Sequence, residues 1–164
     1  MPKSNSGVFF LVLVAIAAGF VWLTSQGLPV FVASHFGFSG AANGFMPRSV
    51  YVPFMLGFIV LLPLSLVGLT NLTFNNPHVR INLPHREYWL AADRRAATIQ
   101  FLCDHTTRFG SMLVGFLCYV HWLVVRANAT VPPALSNEWF AVGLGIYLVS
   151  TAVWTGMLFA RFQR

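Results

Sequence analysis

The sequence predicts an all-α integral membrane protein, a bundle of four transmembrane helices. Hydrophobic residues make up 57% of the 164 residues, charged residues only 9%, and there are four acidic residues in all. A soluble domain of this size needs a more highly charged surface. The few charges also lie between long uncharged runs, and a helix of about 20 apolar residues is what crosses a bilayer. We therefore treat residues 1–164 as a single membrane domain.

Four uncharged runs supply the predicted spans. The first lies close to the N-terminus and has no evident signal-peptide cleavage site, so we expect it to remain as a helix. The second is rich in Leu, Val and Phe, and the third has an arginine at each border. The expected bounds are 8–24, 50–72, 109–126 and 139–160.

The segment 73–108 is predicted to connect spans two and three and to carry an amphipathic helix that lies on the membrane surface or leads into span three. Apolar residues recur there at steps of three and four between Trp89 and Cys103, which places them on one helix face. Asp104 and Arg108 are four positions apart with the acid first, so we expect an ion pair along that helix.

The basic residues predict the orientation. Arg48 and Arg126 fall on one side of the four spans, and the other eight fall on the opposite side. Excess Lys and Arg marks the cytoplasmic side, so both termini are predicted to be cytoplasmic. The scattered basic residues favour contact with membrane lipids and no nucleic-acid partner. The eight are Lys3, Arg80, Arg86, Arg94, Arg95, Arg108, Arg161 and Arg164.

The external loop, residues 25–49, is the best candidate for a site. It is broken by glycine and rich in phenylalanine, so we expect it to be ordered and to fold onto the outer ends of the helices. His35 is the most specific candidate for a site residue in this loop. Its ring either holds the loop through a backbone carbonyl or serves as a metal ligand, a proton-sensitive switch or a ligand contact.

A second hypothesis joins His35 to His121, near the outer end of span three, and to Glu138, the only external acid. Such a cluster would bind a divalent metal such as zinc, although the spacing matches no known metal motif. No other cofactor is predicted. No catalytic residues are predicted either, because no nucleophile has a base and an acid to complete a triad.

On the cytoplasmic side, a group of charged and aromatic residues admits two interpretations. It forms a basic collar that faces lipid headgroups, or it is a docking platform for a partner with Tyr88 and Trp89 as anchors. The group consists of Arg86, Glu87, Tyr88, Trp89, Arg94 and Arg95.

The external loop resembles the SdpI-like bacterial membrane proteins and the domain-of-unknown-function family associated with them. A Leu-Pro pair, a Ser-His-Phe triplet, two glycines and a basic residue occur in the order of that family. These residues are Leu28, Pro29, Ser34, His35, Phe36, Gly40, Gly44 and Arg48. The cytoplasmic segment 82–95 is similar as well. The resemblance implies a small protein of the bacterial inner membrane. The best-known members of the family act in immunity to a secreted peptide toxin and in signalling to a cytoplasmic repressor, and most members have no assigned activity.

The function predicted from these observations is a non-enzymatic inner-membrane protein that binds a partner. It would be an accessory subunit of a larger membrane complex, with other membrane proteins as subunits, or an SdpI-like immunity or signalling protein. The alternative is a metal-binding membrane protein, or a metal-dependent membrane enzyme, that uses His35 and His121.

Overall fold

A computed structural model describes residues 5–163, which form a mostly helical fold with one short β-hairpin. Lys3 and Arg164, which entered the charge argument, lie outside the described residues. In chain order the elements are α1 (Ser6–Ser25), β1 (Phe31–Phe36), β2 (Ala42–Pro47), α2 (Arg48–Asn75), α3 (Arg86–Trp89), α4 (Arg95–Asn128) and α5 (Asn137–Phe162).

Four helices, α1, α2, α4 and α5, are long and apolar enough to cross a membrane, which confirms the predicted number of candidate spans. For α1, α2 and α5 the observed bounds differ from the predicted ones by no more than three residues. Local signals set these ends. α2 begins directly after Pro47, and Ser136 caps α5 by accepting a hydrogen bond from the Trp139 N–H.

Of the two arrangements predicted for the helix before span three, the structure has the one that leads into the span, because α4 runs without a break over 34 residues. No proline lies between Tyr88 and Pro132, so nothing interrupts the backbone hydrogen bonds where the hydropathy changes. The predicted Asp104–Arg108 ion pair is not formed. Asp104 accepts a hydrogen bond from Ser6 at 2.6 Å, and the one ion pair within residues 5–163 joins Arg94 to Asp93.

The loop between α1 and α2 contains an antiparallel hairpin, so the fold is not purely helical as predicted. β1 pairs with β2 from Phe31↔Pro47 to Phe36↔Ala42, with irregular register on both sides of His35. Phenylalanine and valine favour this extended pairing. The turn between the strands contains Gly40 at φ +81°, a conformation that glycine adopts without strain.

Three of the long helices share one core, and α5 lies beside it. α1, α2 and α4 each contribute an apolar face at helical spacing. α5 packs mainly along α4. Only 6% of an 18-residue apolar stretch of α5 is buried, compared with 33% of the corresponding stretch of α4. The shared core contains Phe10, Val14, Ala17 and Val21 of α1, Tyr51, Met55, Ile59 and Val67 of α2, and Val114, Leu117 and Val124 of α4.

Gly110 lets α4 approach both of its core neighbours closely. A Cβ atom at this position would lie 2.5 Å from the Val67 Cγ2 atom of α2 and 3.1 Å from the Phe10 ring of α1. Any larger side chain would therefore separate the helices. The absence of a side chain at one position fixes the spacing of the three-helix core.

A second apolar cluster lies at the opposite end of the bundle from the hairpin. It joins the connector to α4 and α5 through Ile81, Trp89, Leu102 and Phe162. The Arg161 guanidinium lies 4.8 Å from the centre of the Trp89 ring. Trp89 thus packs within this chain's own fold.

Candidate partner-binding site at the hairpin

The side chain of Asn128 fastens the hairpin to the end of α4. Its amide oxygen accepts from the Ala33 N–H at 2.8 Å, and its amide nitrogen donates to the Ala33 carbonyl at 2.9 Å. The same nitrogen donates to the Val124 carbonyl one turn earlier in α4. Asn128 therefore bonds to the outer edge of β1 as a neighbouring strand would.

Arg48 holds the base of the hairpin at the start of α2. Its guanidinium donates to the carbonyls of Gln26 and Leu28 at 3.1 and 3.0 Å, and its backbone N–H donates to the Val30 carbonyl at 2.8 Å. The Leu28 side chain is buried in the core below. The first and last residues of the sequence motif, Leu28 and Arg48, are thus hydrogen-bonded to each other, and the motif connects α1 to α2.

Replacing Arg48 with glutamine is expected to lower the unfolding free energy by about 1 kcal/mol, because a shorter neutral side chain cannot reach both carbonyls. Thermal unfolding of the purified protein in detergent micelles measures this loss. Arg126→Gln is the matched control, because the Arg126 guanidinium lies over the Trp122 ring and bonds to no carbonyl of residues 5–163. Equal effects of the two substitutions would show that the hydrogen bonds made by Arg48 do not contribute to the unfolding free energy.

The tip of the hairpin is held by the segment that leads into α5. The Asn137 amide donates to the Phe38 carbonyl at 2.8 Å, and the Leu135 N–H donates to the Gly40 carbonyl at 2.8 Å. The backbone contact is close enough that a Cβ atom at Gly40 would clash with the Leu135 carbonyl. The Ala42 N–H donates to the Pro133 carbonyl at 3.3 Å. The hairpin is therefore attached at its base, its side and its tip.

Between these attachments lies a cavity of about 730 Å³, bounded by the hairpin, the end of α4 and the start of α5. Its walls are mainly apolar, and its polar groups come from both strands and from the first residue of α5. Apolar walls with a few fixed polar groups are typical of ligand sites. The lining includes His35, Asn43 and Asn137 among polar residues, and Phe36, Leu123 and Phe140 among apolar ones.

His35 lies on this cavity, and its ring bonds to a side chain and not to a backbone carbonyl. The His35 Nδ1 atom lies 2.5 Å from the Asn43 amide oxygen. Because that oxygen only accepts, Nδ1 is the donor, and in the neutral ring Nε2 carries the lone pair. No described residue bonds to Nε2. Ser34 and Phe36, its neighbours in the motif, line the same cavity. Gly44 leaves room for the His35 side chain, because a Cβ atom at position 44 would lie 2.9 Å from the His35 Cβ.

His121, the predicted neighbour of His35, lies in the helical core with other partners. Thr24 donates to the Phe20 carbonyl at 2.7 Å, so its oxygen accepts from the His121 Nε2–H at 2.8 Å. The Nδ1 atom then accepts from the Tyr51 hydroxyl at 2.9 Å. A neutral imidazole satisfies every link of this chain, which ties α1, α2 and α4 together. The ring is fully buried.

The structure does not bring the predicted metal ligands together. His35 and His121 share no hydrogen bond or ring contact, and Glu138 lies in the first turn of α5. Across residues 5–163, no three His, Cys, Asp or Glu side chains are grouped as a metal ion would require. The zinc hypothesis therefore gains no support from the arrangement of these residues.

On the far side of the molecule, the predicted contact group does not form one exposed surface. Arg86, Glu87 and Tyr88 are exposed, and the Arg94 guanidinium lies 4.1 Å from the centre of the Tyr88 ring. Trp89 is buried with 6% of its surface exposed, so it is not the exposed anchor that the docking interpretation required. Arg95 lines a separate cleft of about 560 Å³ beside Asn75 of α2.

The sequence interpretation missed the asparagines that build this site. Asn43, Asn128 and Asn137 position the His35 ring, β1 and the hairpin tip respectively. Their positions in the sequence give little warning, because asparagine is common in turns for local reasons. A polar residue at the last position of a long apolar helix is the one signal that would have drawn attention to Asn128.

Comparison with known proteins finds no matching protein family, no similar curated protein and no similar solved structure.

Proposed function

We propose that this chain is a four-span protein of the bacterial inner membrane that binds a partner at its hairpin, with the hairpin outside and both termini in the cytoplasm. Four sufficiently long and apolar helices support the membrane location. The uneven distribution of basic residues supports the orientation. The loop motif from Leu28 to Arg48, with its resemblance to SdpI-like proteins, favours an immunity, signalling or accessory role.

The observation that carries the proposal is the cavity of about 730 Å³ beneath a hairpin that is attached at three places. A rigid, partly apolar recess with polar groups at fixed positions binds a ligand without the entropic cost of ordering a loop. His35 and Asn43 offer hydrogen bonds there, and Phe36 and Phe140 offer apolar surface. Binding, not catalysis, is what this arrangement supports.

Cysteine labelling tests the membrane topology. Cys103 and Cys118 are first replaced with serine, and a single cysteine is then placed at Ser39 in the hairpin turn or at His78 in the connector; both positions are exposed. A membrane-impermeant maleimide is expected to label the Ser39→Cys variant in intact bacterial cells, and the His78→Cys variant only after the membrane is opened. The reverse pattern would overturn the orientation, and labelling of both variants in intact cells would overturn the four-span arrangement.

Site-specific photo-crosslinking tests the binding of a partner. A photoreactive amino acid at Phe38, which lines the cavity and is fully exposed, is expected to give one discrete protein adduct in native membranes. The matched control is the same amino acid at Ile146, an exposed position on α5. Identical adducts from both positions, or none from Phe38, would contradict a partner site at the hairpin.

A further inference from the structure

The outer edge of β2 has an open backbone position at Phe45. Residues that face each other across an antiparallel pair alternate between exchanging hydrogen bonds and pointing their N–H and C=O groups outward. The N–H and C=O of Ala33 both bond to Asn128 on the outer side of β1. Its partner in register is Phe45, so the N–H and C=O of Phe45 also point away from the hairpin.

Among residues 5–163, no side chain and no backbone group outside the hairpin bonds to the N–H or C=O of Phe45. Closer to the hairpin tip, the same edge is already occupied by this chain. The Ala42 N–H donates to the Pro133 carbonyl, and Ala41 forms an antiparallel bridge with Ala134. A short piece of extended chain therefore lies along this edge and stops before Phe45.

Exposed apolar side chains flank the open position. The Phe45 side chain is 57% exposed, and Phe31, on the same face of the hairpin, is 63% exposed. The buried faces of Val32 and Met46 lie on the other side, against the helices. An extended segment placed along Phe45 would therefore have a side chain of its own beside the exposed Phe45 ring.

We propose that an extended peptide segment of a partner protein binds here as an added strand that exchanges two backbone hydrogen bonds with Phe45 and packs an apolar side chain on the Phe45 ring. The proposal rests on the proposed function, which makes the hairpin the partner-binding part of the chain. A donor and an acceptor on one residue of an exposed edge match an extended backbone. A lipid chain has no groups to pair with them, and an open edge of this kind is a template for pairing.

Amide hydrogen exchange tests the proposal on the full chain in detergent micelles, followed by NMR. The probe is the synthetic peptide acetyl-Val-Thr-Val-Thr-Val-amide, and the control is the same peptide with alternate amides N-methylated. The probe is expected to slow exchange of the Phe45 amide by about tenfold or more, with no effect of the N-methylated peptide. The Ala33 amide serves as an internal reference, since it is already bonded to Asn128.

Three results would overturn strand addition. These are unchanged exchange at Phe45 with saturating probe, equal protection by both peptides, or protection that increases with protein concentration in the absence of probe. The last would mean that two copies of this chain pair edge to edge. A crosslinked adduct at Phe38 together with any of these results would still support partner binding at the hairpin and would contradict only strand addition at Phe45.

A pair of variants separates the backbone from the side chain. Phe45→Pro removes the outward N–H, and an outward position on an edge strand tolerates proline. Phe45→Val keeps the N–H and a strand-forming side chain. The proline variant is expected to bind the probe at least tenfold more weakly than the valine variant, with unchanged Ala33 exchange as evidence that the hairpin is intact. Equal binding by both variants would contradict the backbone pairing.

Discussion

Replacing His121 with alanine is expected to lower the free energy of unfolding by about 3 kcal/mol, the largest effect of any substitution considered. The substitution leaves a cavity where a fully buried ring stood, and it removes the hydrogen bonds to Thr24 and Tyr51. The Tyr51 hydroxyl would then lie buried without an acceptor. Unfolding by sodium dodecyl sulfate, followed by circular dichroism in mixed micelles, measures the change.

His78→Ala is the matched control, because His78 is an exposed histidine of the connector and its ring bonds to no described residue. It should change the unfolding free energy little. Tyr51→Phe removes one link of the chain and keeps the ring, so we expect a loss of about 1 kcal/mol. If His121→Ala unfolds like His78→Ala, the chain from Tyr51 to Thr24 does not stabilise the three-helix core.

Replacing Asn128 with alanine is expected to release the hairpin from α4 while the helices stay folded. Two hydrogen bonds to Ala33 are lost, at a cost of about 2 kcal/mol for local opening, which corresponds to roughly 30-fold faster exchange of the Ala33 amide. Hydrogen exchange at Ala33 and at core amides of α4 distinguishes this local change from unfolding of the whole chain.

Asn75→Ala provides a closely matched control for Asn128→Ala. Both asparagines lie at the end of a long helix, and both donate to the carbonyl four residues earlier, Asn75 to Asn71 and Asn128 to Val124. Only Asn128 also bonds to the hairpin. Ala33 exchange should therefore stay unchanged in Asn75→Ala, and equal acceleration in both variants would argue against the attachment of β1 by Asn128.

The number of long apolar helices was predictable because hydropathy depends on composition along the chain and needs no tertiary information. The same reasoning placed the start of the third span at residue 109, whereas α4 begins at Arg95. Arg108 interrupts an apolar run, but a charge does not interrupt backbone hydrogen bonds, so the helix passes through it. Hydropathy reports where apolar residues occur and not where a helix begins.

The candidate site was predictable in location but not in its contacts. The glycines and phenylalanines of residues 25–49 indicated an ordered loop, and the structure has a hairpin there with His35 on a cavity. The proposed approach of His35 to His121 depended on topology alone, which places residues on a side but not at a depth. His121 points into the helical core, where Thr24 and Tyr51 use both ring nitrogens.

The attachment of the hairpin tip has a consequence for biosynthesis. A chain is made from its N-terminus, so α1, the hairpin and α2 emerge from the ribosome well before residues 133–137. The tip receives its bonds from Pro133, Leu135 and Asn137 only at that late stage, and the Asn137 contact spans 99 positions of sequence. The recess beneath the hairpin is therefore completed last, and a chain that ends at Asn128 contains every residue of α1, α2 and α4 but none of the residues that bond to the hairpin tip.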